Sequence, residues 1–300
     1  TCGDDTCNNL PFVFELLPSV SQMKRRALEV AVLSDIHLGT YGCRADEVLN
    51  YLRSIKPKKL ILNGDIVDGW QFKKKYWPAS HTKVLKEVLH LASKGCKVYY
   101  LPGNHDEVFR RFVGYKLGNI KVENKVVLDL DGKLAWFFHG DVFDVTMQHS
   151  RWLTRLGSEG YDFLIWLNYH VNRWLDFMGK EKKSFSKQIK NGVKGAVKYI
   201  NQFEDMCADI AIQKNYDYVV CGHIHQPEIR EIIRNNKSVL YLNSGDWIEN
   251  LTALEYDRET WNIYTYEPSE FSERLEEVDK NAKEMFDDML VEFQLNALDQ

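Results

Sequence analysis

Positive charge is in short supply, with 39 Lys and Arg against 43 Asp and Glu for a formal net charge of -4. Nucleic-acid binders usually neutralise backbone phosphates with a basic field, so general nucleic-acid binding is set aside as the main role. Long apolar runs are missing too, and no window approaches the roughly 20 residues a bilayer-spanning helix needs. The stretch from Thr1 to Gln22 lacks a basic start, and Pro11, Glu15 and Pro18 interrupt its apolar residues, which argues against a signal peptide. Met23, followed by Lys24, Arg25 and Arg26, reads as a natural start, which makes 1–22 a disordered or appended extension. The six cysteines, Cys2, Cys7, Cys43, Cys96, Cys207 and Cys221, contain no CxxC pair. Neither a zinc ribbon nor a dense disulfide framework follows, and a reducing, cytoplasmic setting is expected.

What is present is ordinary for a globular protein with a sizeable core: 300 residues, 44% apolar and 27% charged. Leu28 to Ser34 is apolar and β-branched, Ala45 to Ile55 has helical periodicity, and Lys59 to Leu62 returns to a buried-strand pattern. This is a βαβ unit. A second helix is expected to follow Ser80 as N-cap and to stop at Gly95, ahead of a strand from Lys97 to Leu101. Asp131-Gly132, between Lys125–Leu130 and Lys133–Phe138, is a strong hairpin signal, so antiparallel strands enter there. Strands at Tyr218–Cys221, Glu228–Ile233, Ser238–Leu242, Thr252–Tyr256 and Trp261–Tyr266 suggest a second sheet packed on the first. Residues 143–211, crowded with aromatic side chains, read as an inserted helical lid, and 271–300 as an amphipathic C-terminal helix.

Five short motifs carry the chemistry: Asp35-Ile36-His37, Gly64-Asp65-Ile66-Val67-Asp68, Gly103-Asn104-His105-Asp106, His139-Gly140-Asp141 and Gly222-His223-Ile224-His225. Any one of them is bland, since a lone Asp-x-His is usually a turn and a lone His beside an apolar run is usually a core residue. All five, however, follow expected strands, and ligands of α/β sheets gather beyond the carboxyl ends of strands. Mixed carboxylate, imidazole and amide donors suit manganese, iron or zinc and argue against a thiolate structural site. His81, His90, His149 and His170 lie outside the motifs and are read as structural or surface residues.

In these motifs the chain resembles the calcineurin-like metallophosphoesterase superfamily, over about residues 28–270. That resemblance implies a four-layer α/β/β/α sandwich, here in a 23–270 domain carrying the helical lid. It also implies two divalent metal ions, manganese by default with zinc or iron as alternatives. Asp35, His37, Asp65 and His225 would hold one, and Asp65, Asn104, His139 and His223 the other. Two metals about 3.5–4 Å apart clamp a phosphoryl oxygen and bring the pKa of a bound water towards neutrality. His105 would serve as acid or electrostatic stabiliser for the leaving group, with Asp68 orienting it.

Leu33-Ser34-Asp35-Ile36-His37-Leu38-Gly39, His139-Gly140-Asp141, Gly222-His223-Ile224-His225-Gln226-Pro227 and Asn243-Ser244-Gly245-Asp246-Trp247 look like the UDP-2,3-diacylglucosamine hydrolase branch. Members cleave a pyrophosphate in lipid A synthesis, releasing UMP and lipid X. That resemblance implies a nucleotide-linked lipid substrate and peripheral contact with the inner face of the cytoplasmic membrane. Asp141, Trp166, Trp174, Lys187 and Lys190 are the candidate substrate contacts. The branch usually carries Arg after the ligand Asn, where this chain has His105. A soluble phosphodiesterase or phosphatase acting on a nucleotide or other small phosphoester is therefore a second reading, and a scaffold without turnover a third. Oligomeric state is not legible.

Overall fold

A computed structural model describes residues 25–69, 76–144 and 193–269, with the side chains of 193–198 excepted. The expected extension 1–22, lid residues 145–192 with Trp166, Trp174, Lys187 and Lys190, and the 271–300 helix lie outside the described residues.

Strands β1 (Arg26–Leu33), β2 (Ile55–Asn63) and β3 (Lys97–Leu101) pair in parallel, Val32 beside Ile61 and Ile61 beside Tyr99. They are joined by helices α1 (Ala45–Ser54) and α2 (Ala79–Ser93), as the βαβ pattern requires. Helix α1 buries Val48, Leu49, Tyr51 and Leu52, one apolar stripe at helical spacing. The start of α2 differs from expectation, since Pro78 and not Ser80 occupies the N-cap and no side chain caps the helix. The Pro78 carbonyl accepts the His81 N–H at 3.1 Å, which begins the helix one residue before Ser80. Its end is as expected. Gly95 takes φ +98°, the Gly95 N–H bonds to the Ala92 carbonyl and the Cys96 N–H to that of Leu91, a Schellman closure.

Beyond β3 come a 3₁₀ turn (Glu107–Phe112) and two short strands, β4 (Lys116–Leu117) and β5 (Ile120–Val122). The hairpin then forms, β6 (Lys125–Leu130) and β7 (Lys133–Phe138), with Asp131 and Gly132 at φ 56° and 84° as a two-residue turn of this hand demands. Helix α3 (Val193–Gln213) leads into β8 (Tyr218–Cys221), β9 (Glu228–Arg234), β10 (Lys237–Asn243), β11 (Thr252–Asp257) and β12 (Thr260–Thr265).

One sheet runs β12-β11-β1-β2-β3-β5-β4 and the other β6-β7-β8-β10-β9. The late strands thus do not form one sheet as expected. The β6–β7 hairpin opens the second sheet, while β11 and β12 return to the first, with Val30 opposite Tyr256. The reason lies in the alternation of each strand. Val30, Val32, Ile61, Leu254, Tyr256 and Trp261 from the first sheet face Ala135, Phe137, Tyr218, Val220 and Leu242 from the second. Burial of each large side chain in this layer contributes about 1.5–3 kcal/mol. The intervening residues face outward. Ala31, Leu33, Leu60 and Leu62 pack with α1 and α2, and Trp136, Phe138, Val219 and Cys221 pack with Phe203, Cys207, Ala208 and Ala211 of α3. The order is therefore helix, sheet, sheet, helix. Residues 199–211, within the range read as lid, belong to this second core, because their buried positions recur at helical spacing.

Candidate metal centre

The parallel strands deliver the motifs to one end of the sandwich. Asp35 and His37 follow β1, Asp65 and Asp68 follow β2, Asn104 and His105 follow β3, His139 follows β7, and His223 and His225 follow β8. Asp35, His37, Asp65, His223 and His225 all take positive φ, between 52° and 68°. Such backbone is uncommon for residues other than glycine, though Asp and His tolerate it better than most, and it collects at functional sites. Cross-loop hydrogen bonds hold it in place. The Asp35 N–H bonds to the Gly64 carbonyl at 3.0 Å, that of His37 to Asp65 at 2.9 Å, that of Gly69 to His105 at 2.9 Å and that of Gly222 to His139 at 3.0 Å.

Three donor clusters result: Asp35, His37 and His225; His37, Asp65 and His105; and Asp65, His139 and His223, the ligand atoms of each lying within 4.8 Å of one another. Asp65 is common to two of them. Its Oδ2 lies 3.4 Å from His139 Nε2 and 3.9 Å from both His37 Nε2 and His105 Nε2, while Oδ1 accepts the His105 N–H at 2.8 Å. Asp68 Oδ2 sits 3.0 Å from His105 Nδ1 and 3.6 Å from His37 Nδ1. His139 Nδ1 donates to the Asn63 carbonyl at 2.9 Å, which leaves Nε2 as its free donor atom.

The glycines of the motifs are spacers. A Cβ on Gly64 would stand 2.2 Å from His139 Nδ1, one on Gly103 2.3 Å from Asp65 Oδ1, and one on Gly222 2.6 Å from Asp35 Oδ2.

A family model for calcineurin-like phosphoesterases matches residues 28–227. The chain belongs to that family. It is a hydrolase of phosphoester or pyrophosphate bonds, and the family implies divalent metal ions. Among curated relatives, a UDP-2,3-diacylglucosamine hydrolase from Aliivibrio fischeri is 23% identical, covering 80% of this chain and 99% of the relative. One of the same name from Porphyromonas gingivalis is 26% identical over 79% of this chain and 97% of its own length. Among solved structures, an archaeal phosphodiesterase covers 79% of this phosphoesterase and 98% of itself at 11% identity and TM-score 0.37. Zinc-bound Vps29 from Entamoeba histolytica covers 79% of this chain and 99% of itself at 14% identity and TM-score 0.32.

The residues of this phosphoesterase fit a metal pair. His37 Nε2 and Asn104 Oδ1 are buried without a hydrogen-bond partner, although buried polar atoms are normally satisfied, while Asp35 Oδ1 faces only His225 Nε2 at 3.1 Å and His139 Nε2 only Asp65 Oδ2 at 3.4 Å. Each such orphan costs about 1–3 kcal/mol, and the four atoms converge from three loops as a mixed oxygen and nitrogen donor set.

Charge has the same sense. Burial alone would raise the Asp65 carboxyl, but His139, His105 and His37 together hold it well below its ordinary value. Burial alone would lower His139, and Asp65 and Asp35 carry it well above. Asp35 is held at about 2 against its own burial, chiefly by His225. In return Asp35, with Asp246, lifts His225 to about 9 against burial. The sign of the pH dependence follows. The charged pair stabilises metal-free protein fully between pH 3.8 and 6.5, and that contribution is lost as pH falls through about 2, where Asp35 protonates, and as it rises through about 9, where His225 deprotonates. A metal needs the neutral ring, so divalent-metal affinity should climb between pH 6.5 and about 9 with proton release. Calorimetry in buffers of different ionisation enthalpy measures this, and a flat affinity across that interval would remove His225 from the ligand set.

Other expected site residues fare differently. Asp141 is buried and accepts two bonds from Arg110, at 2.9 and 2.8 Å, so its oxygens face an arginine where a substrate contact was expected. His81 is structural, its Nδ1 accepting the Gly39 N–H at 2.8 Å, and burial lowers its pKa. The sequence reading gave no role to Asp106, which takes the Ile66 and Gly103 N–H groups and the Tyr100 hydroxyl. Nor did it single out Asp246, which accepts the N–H groups of Ile248 and Glu249 and the Asn250 amide. Asp106 stands inside a quoted motif, and its last position was the available signal. Among the described residues Cys43, Cys96, Cys207 and Cys221 are free thiols.

Proposed function

We propose that this phosphoesterase hydrolyses the pyrophosphate bond of a nucleotide-linked lipid of the UDP-2,3-diacylglucosamine type, releasing UMP and the lipid 1-phosphate, lipid X. The observation that carries the reading is the convergence of three carboxylate and imidazole clusters at one end of the sandwich, in a chain that spans 99% of a hydrolase of that name. Two divalent ions, Mn²⁺ in this proposal, would be held by Asp35, His37, Asp65 and His225 and by Asp65, Asn104, His139 and His223. When bound, they supply Lewis acidity and an activated water. The chain's own residues do the rest. His105, 3.0 Å from Asp68, keeps a proton for the departing phosphate, since Asp68 and Asp65 outweigh burial and raise its pKa.

No helix among the described residues is long and apolar enough to cross a membrane. A lipid substrate then calls for peripheral contact with the inner face of the cytoplasmic membrane. One feature favours a second reading, hydrolysis of a smaller phosphodiester. His105 stands where the diacylglucosamine branch usually has Arg, and an imidazole transfers protons where a guanidinium only grips phosphate.

Assaying Mn²⁺-loaded protein on UDP-2,3-diacylglucosamine and on an aryl phosphodiester decides between them. UMP release is expected. Turnover of the aryl diester with the lipid-linked nucleotide left intact would discard the first reading for the second.

A further inference from the structure

Behind His223 stands a pair of groups that neither the motifs nor the relatives assign. His223 Nε2 lies 2.9 Å from Asp144 Oδ1, and the Tyr199 hydroxyl donates to that same oxygen at 2.5 Å. Tyr199 and Phe203 are one turn apart on α3, so they share a face of the helix. The Phe203 ring, fully buried, approaches that of His223 with centroids 6.3 Å apart. Asp144 lies five residues past His139, where the Asp144 N–H bonds to the Asp141 carbonyl at 3.1 Å. Helix α3 is a core element anchored by Phe203, Cys207, Ala208 and Ala211, so whatever Tyr199 holds is referenced to a rigid body.

We infer that Asp144, braced by Tyr199, is the positioning residue that fixes the ring orientation and tautomer of His223. This rests on the reading of His223 as a metal ligand. With Asp144 accepting at Nε2, the hydrogen resides on that nitrogen and Nδ1 keeps the lone pair a metal requires. A carboxylate behind a ligating imidazole also raises its basicity, and loss of such a partner typically weakens metal affinity about 10- to 100-fold. Tyr199 restrains the carboxylate, since a hydroxyl and an imidazole converging on one oxygen leave it one rotamer. The device ties the second core to the metal centre through side chains 55 positions apart in one link and 79 in the other.

The test uses Mn²⁺ titration calorimetry of metal-free, full-length protein, with ring ¹⁵N shifts of His223 as a second readout. His223→Ala is the reference arm and identifies which binding event depends on that ring. Asp144→Ala is expected to weaken the same event about 10- to 100-fold and to shift the His223 nitrogens away from the Nε2-protonated tautomer. Asp144→Asn, which keeps an acceptor without the charge, should fall between, and Tyr199→Phe should cost less than either. In the His223→Ala background Asp144→Ala should add nothing. Should Asp144→Ala fail to fold, Asp144→Asn and the ¹⁵N shifts decide. Wild-type affinity and tautomer in the Asp144 variants, or a loss that persists without His223, would overturn the inference and leave the proposed ligands standing. A His223→Ala protein that binds Mn²⁺ as wild type would overturn both.

Discussion

Asp65→Asn should lower turnover at least about 1,000-fold, equivalent to about 4 kcal/mol of transition-state stabilisation, while the fold survives. Asp65, like His37, is shared by two donor clusters, and it is the carboxylate among them, buried at 2% exposure, with Oδ2 facing the imidazoles of His37, His105 and His139. The amide keeps the shape and can still accept the His105 N–H, so the loop bond at 2.8 Å is retained. What goes is the charge and one anionic donor. Metal stoichiometry by elemental analysis should fall with activity, and circular dichroism should report unchanged secondary structure. A variant retaining both the metal and the turnover of wild type would remove Asp65 from the centre of the mechanism.

His105→Ala should behave differently, losing about 10²- to 10⁴-fold in kcat with metal content unchanged. The distinction matters because His105 falls in one donor cluster with His37 and Asp65, so proximity alone would also suit a ligand. Its Nδ1, however, is engaged by Asp68 at 3.0 Å. Burial would lower the imidazole pKa, yet the Asp68 bond and the Asp65 charge reverse that and raise it above 6.5. The proton is therefore held more firmly near neutral pH, the state an acid for a leaving oxygen needs. Steady-state kinetics over esters of graded leaving-group pKa is the measurement. The loss should be largest for alkyl or phosphate leaving groups and small for nitrophenolate. An equal loss across the series, or loss of metal, would mean that His105 is not the acid.

The metal centre was more legible in the sequence than the sheets that carry it. Asp35, His37, Asp65, Asn104, His139, His223 and His225 sit in short motifs, and strand ends were visible from local patterns. The structure brings these loops together, as a rule about carboxyl ends of parallel strands anticipates. Partner choice among strands is another matter. Nothing in the alternation of Thr252–Asp257 says that Tyr256 lies opposite Val30 and not within the second sheet, because both faces offer apolar neighbours. The same limit hid Asp106, Asp144 and Tyr199. Their carboxylates and hydroxyl look like any polar side chain until tertiary contacts set them against Gly103, His223 and each other. Arg110 was hidden in the same way: the place of Asp141 in a motif suggested substrate, while its pairing with Arg110 shows only in the folded chain.

The spacer glycines carry a consequence for how such a site is inherited. The room left at Gly64 is filled by His139, that at Gly103 by Asp65 and His139, and that at Gly222 by Ser34 and Asp35, so each glycine makes way for a ligand from another loop. The five loops are thus not interchangeable cassettes. A loop grafted from a distant relative would bring its own ligand and disturb a neighbour's, and drift in one loop constrains what its neighbours accept. The heritable unit is the interlocked set.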